Sequence, residues 1–308
     1  MSLAFLYAGQ GSQHPGMGAD LYEAHPAFRA VLDTAGVDFD LKTTMFTAPD
    51  GVLNLTEYTQ PCMVAFAAGM TALLAERGIV PDYAAGLSLG EYSALQCAGV
   101  FTASRAISLA AFRGKAMAAA AAGRPCGMTA VLGLDREKLQ EACRQAAGAG
   151  VVEIANYNCP GQLVIGGEQA AVDQAAALAK ELGAKRCLPL KVSGPFHTSL
   201  LAPAGDALRE KFKETPFGAM RIPVLFNCLG REMGPEDTIP ALLEKQVQTS
   251  VYMEDTIRRL AELGVDTIVE IGPGKALSGF VKKTAPAIKT YAVETCADLD
   301  ALSAALKG

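Results

Sequence analysis

Tyr83-Ala84-Ala85-Gly86-Leu87-Ser88-Leu89-Gly90-Glu91-Tyr92 is the stretch from which the fold is best read. Residues 83–85 form a short strand, weak by propensity, and residues 89–97 a helix. Between them Gly86-Leu87-Ser88-Leu89-Gly90 matches G-x-S-x-G, a strand–turn–helix in which small glycines relieve crowding around a serine. A serine so placed projects from the carboxyl edge of a sheet. The helix after it aims free N–H groups and the positive end of its dipole at the same point. Taken alone, the pattern fits equally a serine in an ordinary glycine turn.

Further out, strands alternate with helices. The apolar run 3–7 enters the loop Gly9-Gln10-Gly11-Ser12-Gln13. Residues 61–77 read as a helix, with Pro61 suited to its first turn and Gly78 to the position past its end. An alanine-rich helix over 102–122 closes at Gly123, and a strand over 265–271 runs into Gly272-Pro273-Gly274 and another helix. This alternation predicts an α/β fold with a parallel sheet. The middle differs: strands over 128–132, 151–157, 162–166 and 185–190, with helices over 135–147 and 168–182, give the order β-α-β-β-α-β. That is the split βαβ, ferredoxin-like pattern. The expected architecture is a large α/β-hydrolase-like domain from residues 1–124 and 192–308, with a small ferredoxin-like domain inserted at 125–191.

Composition supports a large buried core: of 308 residues, 50% are hydrophobic and 19% charged. The net charge of -5 argues against a duplex nucleic-acid binder, which normally shows a basic face. Eight cysteines, none in a C-x-x-C pair, give no support to a zinc or dithiol site and suit reduced thiols in the cytoplasm. The uncharged run 58–75 is broken by Gln60 and Pro61 and is expected as a buried core helix, not a membrane span.

A nucleophilic serine needs a base. The chain has three histidines. His14 lies in a glycine/proline loop and His25 precedes Pro26, both surface or cap positions, whereas His197 follows Ser193-Gly194-Pro195-Phe196 and stands just before a helix starting near Ser199. Arg113 shares a helical stripe with Ala106, Leu109, Ala110, Met117 and Ala120. A cation on a core-facing stripe requires an anionic partner, either a protein carboxylate or a ligand carboxylate. Gly272-Pro273-Gly274-Lys275 lacks the spacing and hydroxyl of a phosphate loop and is expected as a structural turn.

Taken in order, these segments resemble one family. Gly9-Gln10-Gly11-Ser12-Gln13 is similar to its N-terminal loop, Gly86-Leu87-Ser88-Leu89-Gly90-Glu91-Tyr92 to its elbow, and Arg113-Gly114-Lys115-Ala116-Met117 to its R-G-x-x-M segment. Asn156-Tyr157-Asn158-Cys159-Pro160-Gly161-Gln162, Phe196-His197, Val247-Gln248 and Glu270-Ile271-Gly272-Pro273-Gly274 continue the match over nearly the whole chain. The family is the malonyl-CoA:acyl carrier protein transacylases of fatty-acid synthesis, with polyketide-synthase acyltransferase domains as relatives. The resemblance implies that Ser88 attacks the thioester of malonyl-CoA and that His197 takes its proton. It implies that the backbone carbonyl of Gln248 orients the imidazole, that the N–H groups of Gln10 and Leu89 form the oxyanion hole, and that Arg113 pairs with the malonyl carboxylate. The resemblance implies that acyl carrier protein then receives the group on its phosphopantetheine thiol, with no cofactor or metal; separately, a monomer is the expectation.

Two positions bear on selectivity. Leu87 stands where the family usually has histidine, and Phe196 matches the malonyl-selecting members. Two rival readings remain: an esterase of the α/β-hydrolase type, whose acid and histidine would follow the serine with the histidine near the C-terminus, and a non-enzymatic module that binds carrier protein.

Overall fold

A computed structural model describes residues 1–307. In chain order the strands are β1 (Leu3–Tyr7), β2 (Tyr83–Gly86), β3 (Cys126–Leu132), β4 (Val152–Cys159), β5 (Gln162–Glu168), β6 (Arg186–Pro189), β7 (Leu225–Phe226), β8 (Arg231–Glu232), β9 (Val251–Tyr252), β10 (Thr267–Ile271) and β11 (Lys289–Val293). The helices are α1 (Ala19–Ala24), α2 (Pro26–Asp33), α3 (Leu41–Phe46), α4 (Thr56–Glu76), α5 (Gly90–Cys97), α6 (Ala103–Ala121), α7 (Arg136–Ala146), α8 (Gln169–Glu181), α9 (Ala202–Lys213), α10 (Ile239–Gln246), α11 (Met253–Glu262), α12 (Ala276–Thr284) and α13 (Cys296–Lys307). They form two compact units.

The first unit comprises Met1–Gly114, Phe217–Phe226 and the segment from Arg258 onward. Its sheet runs β11-β10-β1-β2 with every pair parallel. Every residue of β1 and β10 is buried, as expected for central strands of a parallel sheet covered on both faces. α4 is apolar all round and is therefore a core helix. Among the described residues it is the one helix long and apolar enough to cross a bilayer, and 78% of that stretch is buried inside the protein. It begins at Thr56, so Pro61 lies inside the helix and not in its first turn. The early start has no side-chain cap to announce it, since its N-cap position is held by Leu55. The Thr59 hydroxyl instead donates to the carbonyl of Leu53 at 2.6 Å.

The second unit comprises Lys115–Pro216 and Asn227–Ile257. Its elements run β3-α7-β4-β5-α8-β6, and its sheet is ordered β6-β3-β5-β4-β9. β3, β4, β5 and β6 pair antiparallel, while β9 joins β4 in parallel. Asp135 caps α7 by accepting from the Lys138 N–H at 2.8 Å. Val131, Leu139, Ile154, Ile165 and Val172 lie in the core where sheet and helices meet. The unit is larger than the insertion expected at 125–191, because it takes in the His197 segment, α9, α10 and β9. The pairing of β9 with β4, reinforced by the Ser250 hydroxyl donating to the Ile154 carbonyl at 2.6 Å, gathers that later segment in.

Candidate active site

In the first unit Ser88 has φ +53°, a left-handed backbone that non-glycine residues seldom adopt. Two close approaches force this turn. A Cβ on Gly86 would come within 2.1 Å of the Gly90 backbone, and one on Gly90 within 2.3 Å of the Tyr7 carbonyl oxygen. The Leu87 N–H donates to the same Tyr7 carbonyl at 2.9 Å, locking the elbow to the end of β1. A Cβ on Gly9 would sit 2.6 Å from the Leu87 carbonyl oxygen, so the Gln10 loop passes directly against the elbow. Leu89 is buried at the start of α5, where backbone N–H groups have no partner within the helix. The Gln10 side chain is itself held, donating to the Thr56 hydroxyl at 3.1 Å.

Arg113 is completely buried on α6. Its Nη2 donates to Ser88 Oγ at 3.0 Å and its Nη1 to Gln60 Oε1 at 2.9 Å. Its guanidinium lies 5.6 Å from the centre of the Tyr92 ring. Burial pulls its proton affinity below the ordinary arginine range, while Tyr92 and the buried Glu91 carboxylate act in the opposite direction. Gly114 explains how the side chain arrives there: a Cβ would meet the Thr56 carbonyl oxygen at 2.7 Å, so only glycine lets α6 press against the start of α4. Ala106, Leu109, Ala110 and Met117 of the stripe are buried, and Ala120 is half-buried.

The second unit holds His197, also left-handed at φ +61° and only 4% exposed. Its Nδ1 lies 2.9 Å from the backbone carbonyl of Gln246. A carbonyl oxygen only accepts, so Nδ1 carries the hydrogen and Nε2 is left as the basic nitrogen. The carbonyl on Nδ1 is thus that of Gln246, not that of Gln248 as the sequence led us to expect. Gln246 is the last residue of α10, where helix carbonyls lack partners, whereas the Gln248 side chain folds back to donate to the Glu244 carbonyl at 3.3 Å. Phe196 is buried beside Gly194, where a Cβ would come within 3.1 Å of its ring. Leu87, beside Ser88, is half-exposed.

Sequence reasoning missed Gln60, Glu91 and Tyr92 as the surroundings of Arg113, although Gln60 was visible as a polar interruption of an apolar run. The Gly272-Pro273-Gly274 segment is a turn. The N–H groups of Leu277 and Ser278 at the start of α12 donate to the buried Glu270 carboxylate at 2.9 and 2.7 Å, so the protein itself occupies the place a phosphate would need. His14 is exposed and paired with Glu294, and His25 precedes α2 as its N-cap residue. No cluster of three or more metal-ligating side chains occurs among the described residues.

Comparison with known proteins places these features in context. The acyl transferase domain family matches residues 4–299. The malonyl CoA-acyl carrier protein transacylase of Bacillus subtilis is 40% identical over 94% of this chain and 93% of its own length. The crystal structure of the malonyl CoA-acyl carrier protein transacylase from Clostridium perfringens superposes with a TM-score of 0.96 at 37% identity, covering 100% of this chain and 98% of that one. A malonyl-transacylase solved in complex with its type II polyketide acyl carrier protein superposes with a TM-score of 0.94 at 37% identity, covering 99% and 100%.

Proposed function

This chain belongs to the acyl transferase domain family, and from that premise we propose how it moves a malonyl group from malonyl-CoA to the phosphopantetheine thiol of acyl carrier protein. Ser88 Oγ attacks the thioester carbonyl while His197 Nε2 takes its proton. The N–H groups of Gln10 and Leu89 receive the developing oxyanion. The carbon–sulfur bond breaks, the imidazolium returns its proton to the departing CoA sulfur, and malonyl-Ser88 remains. The carrier thiol then runs the same steps in reverse, restoring the serine.

The observation that carries this reading is the 3.0 Å contact between the buried Arg113 and the nucleophile. A cation fixed beside the reacting oxygen rewards an acyl group that ends in an anion. Malonyl folds its terminal carboxylate back to the planar fork, which donates to it bidentately in place of the serine contact. Phe196 and Leu87 are the positions that bear on acyl selectivity in this reading. An esterase triad expects a carboxylate on the histidine, but Nδ1 of His197 meets the Gln246 carbonyl. We read the first unit as α/β-hydrolase-like, from its elbow at the carboxyl edge of a parallel sheet. We read the β3–β6 segment as ferredoxin-like, from its strand order β6-β3-β5-β4.

Intact-protein mass spectrometry after brief mixing with malonyl-CoA, acetyl-CoA and methylmalonyl-CoA in competition tests the reading. Malonyl mass should appear, move to carrier protein on its addition, and be absent from Ser88→Ala. A label that persists in that variant would show the nucleophile to be misassigned.

A further inference from the structure

We propose that Glu153 is a positioning residue for the catalytic imidazole: from β4 it caps the helix that begins just after His197 and so holds the base in its left-handed turn. The inference rests on His197 being the base. A non-glycine residue at φ +61° persists only where its surroundings over-determine it. The residue after it, Thr198, stands at the N-cap position of the 3-10 turn Ser199–Leu201 that leads into α9, yet its side chain does not cap. The Thr198 hydroxyl turns back to the Pro195 carbonyl at 2.6 Å. The cap comes from elsewhere in the unit. The Ser199 N–H donates to Glu153 Oε2 and the Ser199 hydroxyl to Glu153 Oε1, each at 2.7 Å. A carboxylate there also suits the positive end of the helix.

The neighbouring residue of β4 fixes the other side. The Ile154 carbonyl accepts the Ser250 hydroxyl at 2.6 Å, four residues beyond Gln246. Adjacent residues of one strand therefore register both the segment that carries the imidazole and the segment that carries its acceptor carbonyl. Glu153, Ile154, Ser199, Gln248 and Ser250 line a common cleft of about 390 Å³.

The test separates reach from charge. Glu153→Gln can accept the Ser199 N–H on its amide oxygen and donate to the Ser199 hydroxyl, so it keeps the cap without the charge. Glu153→Asp keeps the charge but is one methylene too short. Glu153→Ala keeps neither. The readouts are kcat and KM for Ser88 acylation by malonyl-CoA, and the nitrogen-15 NMR signal of the His197 Nδ1–H. Glu153→Gln should stay within about twofold of wild type, while Glu153→Ala and Glu153→Asp lose about 10- to 100-fold in kcat at unchanged KM, the usual cost of a displaced catalytic group. Their Nδ1–H signal should broaden. If Glu153→Ala does not fold, the contrast between Gln and Asp decides alone. The proposal is overturned if thermal stability falls while kcat and the Nδ1–H signal hold, or if Gln fares as badly as Asp or Ala. A wild type that never acylates Ser88 would sink the transferase mechanism, while the NMR signal would still report on Glu153.

Discussion

Replacing Arg113 with alanine should separate malonyl transfer from acetyl transfer. The guanidinium is fully buried and its two terminal nitrogens are held by Gln60 and Ser88 at 2.9 and 3.0 Å, so it is fixed before substrate arrives. Leaving a buried carboxylate without its partner costs about 3–5 kcal/mol. At about 1.4 kcal/mol per factor of ten, that is two to three and a half powers of ten in kcat/KM for malonyl-CoA. Acetyl has no carboxylate and loses only the hydrogen bond on Ser88 Oγ, a contribution of about 1 kcal/mol or roughly fivefold. The variant also removes the buried cation that interacts with the buried Glu91, which lowers stability. A reduced folded fraction scales both substrates alike, so the ratio of the two kcat/KM values is the quantity to measure. Arg113→Lys should restore part of the malonyl rate, because one ammonium cannot reproduce the fork. Equal losses for both substrates would refute the selectivity role and leave Arg113 as a structural residue of α6.

His197→Ala should lower Ser88 acylation by about 10²–10⁴-fold, and changing any single Asp or Glu other than Glu153 should cost far less; an acidic residue that matched His197 would turn the dyad into a triad. His14 is a pH-dependent contact: the Pro15 carbonyl and the Glu294 carboxylate raise its proton affinity above the ordinary histidine value. Its stabilising contribution is complete below the unfolded-state pKa and lost as pH rises through the folded one. The Tm difference between wild type and His14→Gln should therefore shrink from about pH 6 to about pH 9, and a constant difference would count against the pairing. Glu270→Ala strips the cap from two buried N–H groups and should reduce stability by about 1–3 kcal/mol in chemical denaturation, with Ser88 acylation unchanged once folded. Transfer to an acidic carrier protein should fall with salt more steeply than acylation by malonyl-CoA, and equal slopes would exclude a charged docking surface.

What could be read from the sequence is what local chemistry encodes. Alternating apolar runs and amphipathic stretches announce a parallel α/β sheet, and a serine between glycines announces the elbow whose close contacts Gly86 and Gly90 permit. A lone arginine on an apolar stripe announces the need for an anionic partner, from the protein or from a ligand, because a buried charge has to be answered. Tertiary structure decided what those signals leave blank. Every residue carries a carbonyl, so no side chain distinguishes Gln246 from Gln248 as the acceptor of His197; the end of α10 settles it, since its last carbonyl has no partner within the helix. The start of α4 at Thr56 has no side-chain cap to mark it, and the pairing of β9 with β4 joins residues almost a hundred positions apart. Gln60, Glu91 and Tyr92 become the setting of Arg113 only when α4, α5 and α6 pack together, because contact across separate helices has no period for a single sequence to show.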